Sequence, residues 1–254
     1  VLENEEAFTE EISRLLKETQ KELSWCKRKT EIIDEVEKVT VDESDFIEAV
    51  DTVVVVKPDG VQRMTSLVYN NNKDKFKGEV TGVLETDTTK GIALFTRNGQ
   101  FMQRMAHEIE NNSIVNPAED LHKTVKTFKY DDDIIYSTTF DIGQDTGLEV
   151  VSVTAKGQVK RAKLDSSFFA FTQKGYLTRS RDYNGLKIEG DEVIFVDVRP
   201  TEEVEKMTLR IVKNNQSRGT LVNCNDLNVQ GTSGSGVRKI NVKPGDTLRV
   251  EVKE

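Results

Sequence analysis

Few residues in this chain have the types and spacing that catalysis needs. There are two histidines, His107 and His122, and two cysteines, Cys26 and Cys224, none with a partner at ligand or nucleophile–base spacing. The histidines read as surface residues. No glycine-rich phosphate loop or Ser-His-Asp arrangement is present. Asp131, Asp132 and Asp133 are consecutive, and carboxylates that project in different directions from a strand entry predict a solvated turn rather than a metal site. No catalytic residue, metal or other cofactor is expected. What recurs is cationic: Arg63, Arg104 and Arg161 each end a similar segment. Cations at repeated positions suit an extended polyanion, whose phosphates they contact with little base information.

The net charge, 36 Lys+Arg against 44 Asp+Glu for −8, argues against a simple nucleic-acid binder until its distribution is seen. Residues Val1 to Phe46 hold 7 Lys+Arg and 14 Asp+Glu, which leaves 29 against 30 in the 208 residues that follow. A basic face balanced by acidic turns fits within that near-neutral remainder. The longest purely apolar run, Val53 to Val56, is far short of the roughly 20 residues of a membrane helix. No basic-then-apolar leader precedes Leu2. Two isolated thiols make no disulfide framework, so a reduced, intracellular compartment is expected.

Two kinds of element must position the cations. From Glu5 to about Cys26, Phe8, Ile12, Leu15, Leu16 and Leu23 recur three, four and seven apart, which predicts an amphipathic helix. Such a helix packs on its own domain or forms a coiled-coil arm. Past Lys38 the chain turns to short segments rich in Val, Ile, Phe and Thr, separated by Gly, Asn and Asp.

One unit is written several times in that body: an apolar strand, a Gly turn and a second strand carrying Arg or Lys. Val53–Arg63, Ala93–Arg104 and Val151–Arg161 are plain copies, with Gly60, Gly99 and Gly157 expected in the left-handed region. Thr208–Arg218 is a degenerate copy in which Asn214 and Asn215 replace the Gly. Phe169–Arg179 reads as the closing part of the third unit. An acidic or Gly corner and an apolar strand follow at Lys129–Tyr136, Glu189–Phe195 and Lys243–Leu248. The expected architecture is mainly β, a propeller-like body of about four blades behind one long N-terminal amphipathic helix. A generic β-sandwich would not need the same basic hairpin in successive units.

The repeat, clearest at Leu94–Gly99, resembles the blade signature of the C-terminal β-pinwheel of bacterial-type type IIA topoisomerase A subunits, those of gyrase and topoisomerase IV. Ahead of it, Glu11–Leu23 and then Lys27–Ile32 resemble the end of that family's coiled-coil arm and the basic stretch leading into the pinwheel. The resemblance implies residues 1–33 as a piece of the arm and 34–254 as a DNA-binding pinwheel. It also implies a domain without chemistry that bends duplex DNA on its rim, with double-stranded DNA, the rest of the A subunit and the ATPase subunit as partners. No membrane or small-molecule partner is expected, and the location is the bacterial cytoplasm or nucleoid, or a phage-infected host. The family's catalytic Tyr follows an Arg, whereas Tyr69, Tyr130, Tyr136, Tyr176 and Tyr183 follow Val, Lys, Ile, Gly and Asp. In place of the Arg/Gly-rich box of gyrase stands Tyr69–Gly78, with Lys73, Lys75 and Lys77 as a reduced basic loop. That departure makes the chain look more like topoisomerase IV or a phage or plasmid relative, and implies bending rather than full wrapping.

The DNA-binding candidates are Arg63, Lys73, Lys75, Lys77, Arg104, Lys160, Arg161, Lys163, Arg179, Arg181, Arg218, Arg238 and Lys239, with Arg97 and Lys156 in the hairpin turns as the next tier. Arg63, Arg104 and Arg161 are expected at matching positions, Arg179 and Arg181 in the third blade, and Arg218, Arg238 and Lys239 in the fourth. Phe169 and Phe171 share one side of a strand and read as core rather than as base-stacking platforms. The rival reading is a structural or protein-interaction propeller on a helical stalk, for example from a phage particle, with no DNA binding.

Overall fold

An uninterrupted apolar run belongs to a strand covered on both faces, and Val53–Val56 lies in the middle of the first of four small sheets. The computed structural model describes residues 5–23, 47–76, 78–113, 118–125, 128–141, 145–165, 180–181, 191–214, 216–231, 234 and 236–253. The chain divides into two units, Val1–Val41 and Asp42–Glu254. In the first, helix α1 spans Glu5–Glu22, with Arg14 bonded to Glu11 and Glu18 one turn to either side. Its Phe8, Ile12, Leu15 and Leu16 are exposed.

Among the described residues, the second unit is built from four blades of one design. The first has β1 (Asp51–Lys57), β2 (Gly60–Thr65) and β3 (Gly82–Asp87), with α2 (Ser66–Asn72) between the last two. The second has β4 (Gly91–Thr96), β5 (Phe101–Met105) and β7 (Ile134–Phe140). The third has β8 (Asp145–Thr154), β9 (Gln158–Asp165) and β11 (Val193–Pro200). After α4 (Thr201–Lys206), the fourth has β12 (Thr208–Lys213), β13 (Gly219–Asn223) and β16 (Leu248–Lys253). In each, the first strand is central, antiparallel to its hairpin mate on one side and to the third strand on the other.

Each of the first three blades is completed by the unit that follows it. After the second hairpin, β6 (Glu119–Asp120), leading into α3 (Leu121–Thr124), pairs with β2. After the third hairpin β10 (Ser180–Arg181) pairs with β5, and after the fourth β14 (Val229–Gln230) pairs with β9. A further piece, β15 (Val237–Arg238), also joins β9. Two assignments change as a result. Arg181 lies on the second blade's edge, not in the third, and Arg238, with Lys239 beside it, lies on the third blade's edge, not in the fourth. The closing role expected of Phe169–Arg179, like the core role of Phe169 and Phe171, lies outside the described residues.

Successive apolar side chains of each central strand point to opposite faces, so the core lies between blades. Val54 and Val56 pack with Ile92 and Leu94 between the first two blades. Ala93, Phe95 and Phe140 pack with Val150, Val193 and Val196 between the second and third. Val151 and Val153 pack with Leu209 and Ile211 between the third and fourth. The third strands stack in series, β3 on β7, β7 on β11 and β11 on β16.

Gly99 and Gly157 have φ of 80° and 79°, and Asn214 of the degenerate copy has φ 51°, as expected of the turns. Gly60 does not adopt a positive φ. It is needed for close approach instead: a Cβ there would stand 2.3 Å from the Glu119 carbonyl oxygen, where β6 crosses the turn.

Candidate nucleic-acid interface

The acidic corners hold the hairpin tips. Asp132 Oδ1 accepts the backbone N–H of Asn98 at 2.8 Å and that of Asp133 at 2.9 Å. Asp191 does the same for Lys156 and Glu192, both at 2.9 Å. In the fourth blade Asp246 accepts the Asn214 side-chain amide at 2.7 Å and the Lys243 N–H at 2.7 Å. Asp132 is thus no solvated carboxylate but buried, and burial pushes its carboxyl above 3.8 against the bonds from Thr96, Asn98 and Asp133. Asp246 is held at about 2, chiefly by the Lys213 ammonium and the Asn214 amide.

The trailing arginines of the repeat lie inside the fold. Arg63, half-buried, donates from Nε to the Ile109 carbonyl at 2.7 Å, beyond the second hairpin. Arg161, 5% exposed, donates to Glu149 at 2.5 Å and to the Cys224 carbonyl at 3.2 Å, beyond the fourth. Each therefore latches the turn that follows the next blade's hairpin. Arg104, 6% exposed, bonds Glu119 on β6 in the preceding blade. The three do not occupy matching positions, because they stand opposite Val54, Ile92 and Val151 in registers that alternate between blade faces. Lys160 is 1% exposed, and burial lowers its ammonium to about 8. Arg104, Lys160 and Arg161 thus present little surface to any partner.

Other candidates face solvent. Lys73 and Lys75, with Lys75 Nζ on Asn72 at 3.0 Å, are exposed after α2. Lys163 is exposed on β9, Arg218 before β13 and Arg238 on β15, while Lys239 is half-buried. Arg97 and Lys156 are exposed at the hairpin tips, Arg97 facing Asp133 at 3.2 Å and Glu192 at 4.0 Å. A cleft of about 620 Å³ beside the third tip is lined by Lys156, Arg238 and Lys243, and by Asp191, Glu192 and Asp246. Lys77, Arg179 and the Arg181 side chain lie outside the described residues. Sequence reading missed Arg249 and Lys253, exposed on β16; their spacing around Glu251 put them on one strand face, but no repeated motif marked them.

The remaining chemistry-bearing residues are engaged in packing. His122 is not a free surface residue, since it stacks between Phe128 at 4.0 Å and Tyr130 at 5.0 Å. Tyr136 donates to Asp197 at 3.3 Å and accepts from Val198 N–H at 3.2 Å, and burial raises its phenol. Cys224 is buried, which pushes its thiol up to about 11. Among the described residues no group of His, Cys, Asp and Glu has metal-binding geometry. No described helix is long and apolar enough to cross a membrane.

Among the described residues, four small sheets, antiparallel but for the parallel edge strand β14, are joined by exchanged edge strands into a β-pinwheel. In sequence the chain is 26% identical over 246 residues to the A subunit of DNA topoisomerase 4 from Streptococcus pyogenes, covering 93% of this chain. It is 24% identical over 244 residues to that of Streptococcus pneumoniae, covering 90%. The chain spans 28% of the length of these relatives. In structure it resembles the C-terminal domain of a DNA topoisomerase IV, with TM-score 0.66 and 19% identity, over 82% of this chain and 63% of that one. It likewise resembles the E. coli ParC C-terminal domain, with TM-score 0.59 and 12% identity, over 80% of this chain and 79% of that one. No family model matches. The fold is that of the C-terminal β-pinwheel of topoisomerase IV A subunits, and the structural likeness is to that domain rather than to a catalytic region.

Proposed function

We propose that this chain is the non-catalytic pinwheel of a type IIA topoisomerase A subunit, which holds and bends duplex DNA for strand passage by the rest of the enzyme. The observation that carries the reading is the similarity to topoisomerase IV A subunits over 93% of the chain. Residues 1–33 are then the end of the coiled-coil arm and 34–254 the DNA-holding body. The rest of the A subunit and the ATPase subunit are its partners, in the bacterial cytoplasm or an infected host. The phosphate contacts fall to cations left exposed once the latching arginines are set aside: Lys73, Lys75, Lys163, Arg218 and Arg238. Lys77, Arg179 and Arg181, whose side chains lie outside the described residues, are proposed beside them on the sequence alone. They are spread over several blades, and a duplex that curves to meet them pays a few kcal/mol that the contacts offset.

The test is the affinity of the 254-residue chain for a 40-base-pair duplex as salt is varied. A slope of log K against log salt near −4 to −7, at about −0.9 per phosphate contact, is the expected result. No binding at low salt would sink the reading and leave a pinwheel that works through protein contacts.

A further inference from the structure

The fourth blade carries a cationic surface that the repeat does not announce. One face of its sheet packs Leu209, Ile211, Val222, Val250 and Val252 toward the third blade. On the other face Arg210 stands opposite Glu251 on one side and Leu221 on the other, with Arg249 and Lys253 two residues either side of Glu251. Gly219 admits the Arg210 stem, since a Cβ there would lie 2.8 Å from Arg210 Cγ. The guanidinium is thereby fixed on Glu251 at 2.8 Å and on the Ser217 carbonyl at 2.5 Å. The other Glu251 oxygen accepts from Arg249 at 2.6 Å.

Three cations, Arg210, Arg249 and Lys253, thus stand against one carboxylate on this face, in a body whose 29 Lys+Arg and 30 Asp+Glu nearly balance. Arg210, and then Arg249 and Lys253, hold that carboxyl below its usual range, so it stays ionised with both oxygens engaged. Arg249 keeps 63% of its side chain exposed, and Lys253 is exposed too. Among the described residues Leu221 is the one large exposed apolar side chain on this face, which suits a polyanion better than a protein. The opposite end of the stack has another chemistry: on the first blade Val68, Tyr69 and Phe76 close over Val53, Val55 and Met64.

We propose that the outward face of the fourth blade is a second phosphate-binding surface that takes duplex DNA continuing past the blade edges. This rests on the DNA-holding reading above. Arg249 and Lys253 stand about 13 Å apart along an extended strand, so one rod-like polyanion meets both.

The experiment compares the whole chain with Arg249→Gln/Lys253→Gln, and with Lys253→Gln alone in case the pair disturbs the Glu251 network. Binding to a 40-base-pair duplex is followed by fluorescence anisotropy across salt, with circular dichroism to confirm folding. The expected result is a slope shallower by about 1.8 for the double variant and about 0.9 for the single one. Unchanged slopes in folded variants, with the parent chain binding normally, overturn this surface and leave the blade-edge reading standing. No binding by the parent chain overturns both. Slopes unchanged on DNA but lost self-association in the same variants would show that the face joins two copies instead, and would overturn the proposal.

Discussion

Arg161 and Glu149, 5% and 1% exposed, form an ion pair at 2.5 Å inside the third blade, and the same guanidinium reaches the Cys224 carbonyl beyond the fourth hairpin. A buried pair adds little over an apolar replacement, but removing one partner strands the other charge. Arg161→Met should therefore cost about 3–5 kcal/mol in urea unfolding. Arg161→Met/Glu149→Gln should recover much of that loss. The salt slope of DNA binding should not change in whatever protein remains folded. A single-variant cost below about 1 kcal/mol, or a slope shallower by about 0.9, would return Arg161 to the DNA surface.

The Asp132 clasp predicts a contrast between two substitutions. Asp132→Ala leaves the Asn98 and Asp133 N–H groups without their acceptor and should cost about 2 kcal/mol. Asp132→Asn keeps one accepting oxygen and removes a buried charge, so it should stay within about 1 kcal/mol of the parent at pH 7. The pH dependence follows from the raised carboxyl. A carboxyl that binds its proton more tightly folded than unfolded is most favourable below 3.8, and its contribution falls as pH rises through the folded value. Denaturant melts of Asp132→Asn should lack that decline. Identical pH profiles for parent and variant would remove Asp132 as its source.

The hairpins and third strands were legible because their signals are local: apolar runs, a Gly or Asn at the turn, and an acidic corner before the next apolar run. The exchanged strands were not. β6 and β10 are two residues each, too short for any periodicity, and they pair with strands more than fifty residues earlier. The candidate site was half legible for a related reason. In the first three units the sequence puts an Arg on the second strand, but a register difference of one residue reverses the face it occupies. Arg63 therefore turns toward the next blade and Arg104 toward the previous one. Nor does spacing reveal that Asp132 reaches a turn 34 residues away.

Asp246 gives the opposite pH signature. Its carboxyl is held at about 2, first by the Lys213 ammonium and then by the Asn214 side chain, against 3.8 ordinarily. A carboxyl depressed on folding stabilises fully above about pH 4, and loses that contribution as pH falls through about 2. Asp246→Asn should lower Tm by a constant amount above pH 5, with the gap to the parent narrowing steadily below pH 4. A gap that persists unchanged at pH 2 would show that the amide hydrogen bonds, not the charge, hold the fourth turn.

Strand exchange itself is tested at Gly60. An alanine Cβ would collide with the Glu119 carbonyl, 2.3 Å away, and the Leu121 N–H bond to the Asp59 carbonyl at 2.9 Å lies beside it. Backbone rather than a flexible side chain occupies the space, so either the turn or β6 must move. Because the φ of Gly60 is not positive, alanine suits the turn conformation, and the cost belongs to the contact with β6. Overpacking of this kind costs about 1–3 kcal/mol. The expected result for Gly60→Ala is faster hydrogen exchange at Leu121 and along β6, with the β12–β13 hairpin of the fourth blade unchanged. Equal loss of protection in all four blades would mean that the exchanged strand is not a local closure of the first blade, and that the pinwheel unfolds as one cooperative unit.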